Sequence, residues 1–251
     1  MANLYYREDL AGADVAAGDS VEFSGDEARH AVRVSRLRVG EHTLVGDGAG
    51  TIAQAEVTLV DRDRFAVRIE SARFEPPAAC ELVLVQALAK GDRDERAVEQ
   101  ATEFGVDRIV PWQAERSVSR WGADRVARGV AKWQRIAREA AKQSVRARIP
   151  LIDSPVSLAE LAARAREPHT EVLALHPRGT QRLSEWAQSL SPAGPRQIWV
   201  VIGPEGGFSD AELETLRDAG ARVLQLGQTV LRTSSAGPAA LALLNGALGR
   251  W

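Results

Sequence analysis

From Cys80 onward the chain alternates short apolar runs with helical patterns, and no other feature constrains the fold as strongly. The apolar runs are "ELVLVQALAK", "RIVPW", "TEVLALHPRG", "RQIWVVIG" and "ARVLQLG". Most lack the in–out alternation of a half-exposed strand, so they read as strands buried on both faces. Between them lie "DRDERAVEQATEFGV", with acids in its first turn and Gly105 as a stop, and the long "ADRVARGVAKWQRIAREAAKQSV". "SLAELAARAR", "RLSEWAQSL", "SDAELETLRDAG" (capped by Ser209 or Asp210) and "SAGPAALALLNGAL" complete the helices. Strands alternating with helices predict an α/β domain with a parallel sheet flanked by helices.

Residues 1 to about 74 have a different grain. "DSVEFSG", "EHTLVGDGAG", "TIAQAEVTLVD" and "RFAVRIESARF" alternate apolar and polar positions, with a hairpin signal from Gly46 to Gly50. One helix fits "GDEARHAVRVSR", with Asp26 as cap and Ala28, Ala31, Val32 and Val34 or Ser35 packing. So many strands in so few residues predict a small β-barrel. Pro76-Pro77 reads as an extended linker. Two domains are expected, 1–74 and 75–251.

Composition narrows the function classes. The chain has one cysteine, Cys80, so no disulfide framework or thiolate metal site is expected. His30, His42, His169 and His176 lack metal-ligand spacing. There is no apolar run long enough for a membrane span and no signal-peptide layout at the N-terminus, so a cytoplasmic protein without metal is expected. The net charge of −2 hides a basic band. Between Arg116 and Arg148 ten Lys or Arg stand against only Asp124 and Glu139.

Three glycine-bearing loops follow late strands: Leu175–Thr180, "IGPEGGFSD" from Ile202, and Leu226–Gly237. Ligands of open α/β sheets bind at the carboxyl ends of strands. A tight strand-to-helix turn explains any one loop equally well; three together point to a ligand held through backbone groups. The middle loop lacks the Lys-Ser/Thr of a phosphate loop and the GxGxxG of a dinucleotide fold. Glu205, with Asp210 beyond it, argues against an anion there. A neutral or cationic ligand fits better, and S-adenosylmethionine, with its sulfonium, is one.

On the long helix Arg125, Arg128, Lys132, Arg135, Lys142 and Arg146 follow steps of three and four, with Glu139 the one interruption, placing them on one face. A stripe of one sign repels itself unless a polyanion lies beside it, whereas an ordinary charged face carries mixed signs. Arg29, Arg33, Arg36 and Arg38 with His30 form a second cluster, which serves either RNA contact or simple solubility.

Taken in order, "QALAKGDRDERAVEQATEFGVDRIVPWQAERS", "REAAKQSVR", "IGPEGGFSDAE" and "LGQTVLRTSSA" resemble the ribosomal RNA small subunit methyltransferase E family of the SPOUT superfamily. His30, Arg33, Arg36, Leu37, Arg38 and Gly40 resemble the pattern of that family's PUA-like domain. The resemblance runs over nearly the whole chain. It implies a PUA-like β-barrel RNA-binding domain (1–74) followed by a SPOUT methyltransferase domain (75–251) with a parallel sheet and a C-terminal trefoil knot. It also implies a homodimer that uses S-adenosylmethionine to methylate N3 of one uridine (position 1498) in 16S ribosomal RNA of the small subunit. The implied cofactor walls are Leu175, His176, Pro177, Ile202, Gly203, Pro204, Gly206, Gly207, Leu226, Gly227, Val230, Leu231, Thr233 and Ala236. The implied RNA contacts are His30, Arg33, Arg36, Arg38, Lys90, Arg125, Arg128, Lys132, Arg135, Gln143 and Arg146.

The chain departs from the family where Ser234-Ser235 replaces Glu-Thr, so any role of that acid is lost, although a serine there retains helix-capping ability. Uridine N3 is a poor nucleophile until its proton leaves. Arg232 is the candidate to stabilise the resulting anion at O2 or O4. Glu205 is the candidate base, or else neutralises the sulfonium side of the site. Glu103 either helps position the base or makes a helix-to-loop hydrogen bond. The competing classes are a non-catalytic RNA-binding protein, a nucleotide-dependent α/β enzyme, and a SPOUT methyltransferase acting on another RNA.

Overall fold

The computed structural model describes residues 3–191 and 194–251. The chain forms two compact units: one runs up to Pro77 and includes Ala141–Ile149, the other comprises Ala78–Ala140 and Pro150–Trp251.

In the first unit β1 (Leu4–Tyr6), β2 (Ser20–Ser24), α1 (Gly25–Arg33), β3 (His42–Gly46), β4 (Thr51–Val60) and β5 (Arg64–Phe74) follow in order. The sheet order is β1-β3-β4-β5-β2, with β1 parallel to β3 and the other pairs antiparallel. Two register shifts in the long β4–β5 hairpin bend it. The sheet curls so far that its opposite edges share a core. Tyr5 of β1 and Phe23 of β2 have ring centroids 6.3 Å apart, and Phe65 stacks on Phe23 at 4.5 Å. No β1–β2 pairing closes the curl into a full barrel among the described residues.

One local expectation for α1 is corrected. Ser24, in extended conformation, is the residue before the helix, and Asp26 lies within the first turn, where its charge favours the helix N-terminus. Ala28 and Ala31 are fully buried as expected; of the alternatives Val34 and Ser35, Val34 is 67% exposed and Ser35 is half-buried, because the helix ends at Arg33, and Leu37 fills the core.

The segment 141–149 folds into this unit. Ala141 and Ala147 pack with Leu4, Tyr6 and Ile52. Tyr6 Oη donates to the Arg146 carbonyl at 2.5 Å, and the Ile149 amide donates to the Gly48 carbonyl at 3.0 Å. Lys142 is buried and paired with Glu27 at 3.0 Å.

In the second unit β6 (Glu81–Ala87), α2 (Arg93–Glu103), β7 (Arg108–Trp112), α3 (Ala123–Gln143) and β8 (Leu151–Ile152) come first. Then follow α4 (Leu158–Arg164), β9 (Thr170–Leu175), β10 (Gln181–Arg182) and α5 (Leu183–Gln188). The unit ends with β11 (Gln197–Ile202), α6 (Asp210–Asp218), β12 (Arg222–Gln225) and α7 (Thr233–Ala247). All seven strands are parallel, in the order β10-β12-β9-β11-β6-β7-β8. Each central strand feeds two cores. Leu82, Leu84, Ile198 and Val200 pack on one face beside Trp133 and Leu241, while Val83, Val85, Trp199 and Val201 pack on the other beside Leu161 and Leu213. That double burial is why these strands are continuous apolar runs. β9, β11 and β12 point their carboxyl ends the same way, which gathers the three glycine-bearing loops.

Candidate active site

The loops after β9, β11 and β12 enclose a cavity of about 490 Å³. Of the residues expected there, Leu175, His176, Pro177, Ile202, Gly203, Pro204, Gly206, Gly207, Val230, Leu231, Thr233 and Ala236 line it, with Glu205 and Arg232. Leu226 and Gly227 line a smaller adjoining cavity of about 70 Å³, which shares the Leu175–Pro177 wall.

Hydrogen bonds fix the floor. The Trp112 indole donates to the Ile202 carbonyl at 3.0 Å, which anchors the end of β11. Thr233 Oγ1 donates to the Gly203 carbonyl at 2.8 Å and accepts from Gln86 Nε2 at 2.9 Å, so the last residue pair of β6, the β11 loop and the start of α7 are tied together. The Gly207 amide closes a turn on the Pro204 carbonyl at 2.9 Å, and Gly207 sits at φ 66°, a conformation that favours glycine. Ser209 then caps α6 in a reciprocal box with Glu212.

The loop's acids are already partnered, which corrects the argument made from their charge. Glu205 Oε1 accepts from Arg93 Nη1 at 2.6 Å and from the Lys90 amide at 3.0 Å. Partial burial pushes its carboxyl up, but hydrogen bonds from its own amide, Arg93 and Lys90 outweigh that and hold it below the ordinary value. Asp210 is paired with Arg178, which also holds its carboxyl low. His176 borders Phe208, with ring centroids 6.1 Å apart. Burial, then the nearby Arg178 and Arg217, lowers its imidazole below the ordinary histidine value, so it is neutral at pH 7. Arg116 Nη1 donates to the Gly206 and Phe208 carbonyls, both at 3.1 Å, and braces the loop from outside.

Arg232 is different. It is exposed at the cavity mouth, and its guanidinium makes no ion pair among the described residues. It is the residue preceding α7, and its carbonyl accepts from the Ser235 amide at 2.8 Å. Ser234 is therefore not the cap that its position suggested; it lies inside the first turn of α7. Glu103 is exposed on the last turn of α2, and no helix-to-loop hydrogen bond forms from it among the described residues.

Sequence spacing gives no sign of Arg93 as a cavity residue, whereas Phe208 lies within the "IGPEGGFSD" loop without being singled out there. Arg93 lies 112 residues from its partner Glu205. Only its place just after "AKGD", at a strand's carboxyl end, pointed toward the site.

The basic surfaces are divided between the units. His30, Arg33, Arg36 and Arg38 are exposed in the first unit, with Arg29 paired to Asp26. In the second, Lys90, Arg125, Arg128, Lys132 and Arg135 are exposed, with Lys132 paired to Glu95. The expected six-residue stripe stops there. Lys142 is buried against Glu27, and Arg146 lies beyond the end of α3, where Val145 at φ 54° turns the chain away. Gln143 is exposed and Arg146 half-buried. Among the described residues no cluster of His, Cys, Asp or Glu is arranged to hold a metal ion, and no helix is long and apolar enough to cross a membrane.

Comparison with known proteins decides the family. An RNA methyltransferase domain model matches residues 76–245, and an RNA methyltransferase PUA domain model matches residues 23–70. The ribosomal RNA small subunit methyltransferase E of Mycobacterium tuberculosis is 39% identical over 254 residues, covering 100% of this chain and 94% of its own length. The chain belongs to the ribosomal RNA small subunit methyltransferase E family. The Bacillus subtilis member is 28% identical over 92% of the chain and 91% of its own length. A crystal structure of the family's Neisseria gonorrhoeae member, bound to S-adenosyl methionine, superposes with a TM-score of 0.84 at 25% identity over 98% of both chains. A Legionella pneumophila structure in complex with the cofactor SAM gives the same TM-score at 29% identity, again over 98% of both chains. In this family, then, the α/β unit is of the SPOUT methyltransferase type and the curled sheet is the PUA-like part.

Proposed function

We propose that the chain methylates N3 of one uridine in 16S ribosomal RNA of the small subunit, using S-adenosylmethionine bound between the loops after β9, β11 and β12. The observation that carries this reading is the 490 Å³ cavity with one cation, Arg232, unpaired among the described residues at its mouth. The volume falls within the range of small-molecule sites, about 300–1,000 Å³. Its walls combine the Gly203–Gly207 segment and apolar side chains with the Arg93–Glu205 pair and Thr233, which suits a nucleoside, and His176, its imidazole held below the ordinary value, adds little positive charge against a sulfonium.

Bound there, S-adenosylmethionine supplies a methyl group already activated by its sulfonium. What remains for the protein is alignment and charge. Leu175–Pro177, Ile202–Gly207 and Leu226–Ala236 hold the cofactor, so the target nitrogen need only be brought in line. Arg232 places positive charge where uridine O2 or O4 becomes anionic as the N3 proton passes to solvent water at the open mouth of the cavity. Glu205, its carboxyl held low and occupied by Arg93 and the Lys90 amide, is a poor proton acceptor. We assign it to positioning: it ties the "GPEGG" loop to the start of α2.

The division of labour places RNA reading in residues 1–74, through His30, Arg33, Arg36 and Arg38, and methyl transfer in 75–251. Lys90, Arg125, Arg128, Lys132, Arg135, Gln143 and Arg146 are further candidate RNA contacts. The trefoil knot, the homodimer and cytoplasmic residence are part of the same proposal. The homodimer is supported by α7, which from Ala236 to Leu244 is apolar on all sides yet leaves Ala239, Ala242 and Leu243 half-exposed. Mass spectrometry of small-subunit RNA after incubation with methyl-labelled cofactor tests the reading. One methylated uridine, labelled at N3, supports it; unlabelled RNA, or label on another nucleotide or on ribose, refutes it.

A further inference from the structure

We propose that the groove between Trp121 and the first turns of α3 is a subsite for one unpaired RNA base and its adjoining phosphates. The proposal rests on the reading of the chain as an RNA methyltransferase and adds a site outside the cofactor cavity. The groove has a volume of about 620 Å³ and is bordered by Arg120, Trp121, Arg125, Arg128, Gly129 and Lys132.

Gly129 explains how the platform is built. It lies inside α3, where glycine costs roughly 1 kcal/mol relative to alanine. A Cβ at that position would lie 2.6 Å from Cε2 and Cζ2 of Trp121. The missing side chain therefore lets the indole lie directly on the helix backbone. Trp133 meets the ring edge-on at 5.3 Å, and the Trp121 amide donates to Gln113 Oε1 at 3.2 Å. Trp121 packs on the main core beside Trp133, itself 1% exposed, and the rest of its half-buried indole borders the open groove.

The charges around the indole suit a nucleic acid strand. Arg128 makes no ion pair among the described residues, and Arg125 has only its neighbour Asp124, at 4.0 Å. Arg120 donates to the Glu115 carbonyl at 3.1 Å, which leaves its charge uncompensated, while Lys132 is balanced by Glu95. A π-face beside uncompensated guanidiniums is the recurring arrangement for single strands, in which a base stacks while cations track the phosphates. A duplex has no free base face to offer, so the groove distinguishes unpaired from paired RNA.

The test uses the full-length protein and a short fluorescein-labelled oligouridylate, with binding read by anisotropy. Trp121→Leu is expected to weaken binding about tenfold, and Trp121→Phe to restore most of it. Gly129→Ala, which displaces the indole without removing it, is expected to weaken binding to a similar degree. Arg125→Gln with Arg128→Gln is expected to flatten the slope of log affinity against log salt by about 1.4. S-adenosylmethionine affinity, measured by calorimetry, is expected to stay at the wild-type value in all of them. If Trp121→Leu fails that folding check, Trp121→Phe and Gly129→Ala decide. The subsite is overturned if Gly129→Ala binds as wild type, or if a self-complementary RNA duplex binds as tightly as the single strand. It is also overturned if the wild type methylates small subunits but does not bind the oligonucleotide. Failure of the wild type to methylate small subunits at all would instead refute the function reading beneath it.

Discussion

Two arginines line the same cavity and are held in opposite ways. Arg93, at the start of α2, is engaged by Glu205 at 2.6 Å and by that contact fixes the "GPEGG" loop. Arg232, just before α7, is exposed and without an ion pair among the described residues. A neutralised charge shapes a wall; an uncompensated one is available to charge that develops during a reaction. The contrast supports the proposal that the Arg93–Glu205 pair positions the loop and that Arg232 stabilises the transition state.

Breaking the contrast at its active end has the largest effect. Arg232→Gln should lower kcat about 100- to 1,000-fold while S-adenosylmethionine binds within a few-fold of wild type, as calorimetry and turnover on small subunits together reveal. Next is the exposed half of the α3 stripe. Neutralising Arg128, Lys132 and Arg135 should leave chemistry intact but flatten the salt dependence of small-subunit binding by about 2 in the log–log slope. At the structural end of the comparison, Glu205→Gln should weaken cofactor affinity by no more than about fivefold, since the pair is partly exposed, and should leave kcat near wild type.

The smallest effects are in pH. Because the folded Glu205 carboxyl is depressed, its contribution to stability is present above the ordinary carboxylate value of 4.5 and is lost only as pH falls through the lower folded value. His176 is depressed as well. Below its ordinary value of 6.5 the unfolded chain takes up a proton that the folded one rejects, so stability declines as pH drops through that point. Thermal melts of wild type and His176→Gln between pH 5 and 8 check this: the decline should be smaller in the variant.

The parallel sheet was legible because burial on both faces leaves an unbroken apolar run, as in Val83–Val85 and Val200–Ile202. The three loops were legible because strand ends and glycines are local signals. What local pattern does not carry is the partner of a charge. Lys142 continues the helical spacing of the stripe, yet it is buried against Glu27, more than a hundred residues away in sequence. Local pattern presents Glu205 as an acid without a cation, and its partner Arg93 lies 112 residues away in sequence. Ser234 suits a cap because serine caps well, but the capping position is Arg232, two residues earlier, and α7 begins with Thr233 tied to Gln86 and Gly203. The end of α3 is set by the left-handed backbone of Val145, which its residue type disfavours and the packing of Ala141 and Ala147 on Leu4 and Ile52 imposes.

The central claim concerns which charge acts on the substrate, and single-turnover methyl transfer to small subunits, at saturating cofactor, compares the two residues directly. Arg232→Gln is predicted to be slower than Glu205→Gln by about 100-fold or more. The reverse order, with Glu205→Gln nearly inactive and Arg232→Gln close to wild type, would contradict the account and make Glu205 the proton acceptor.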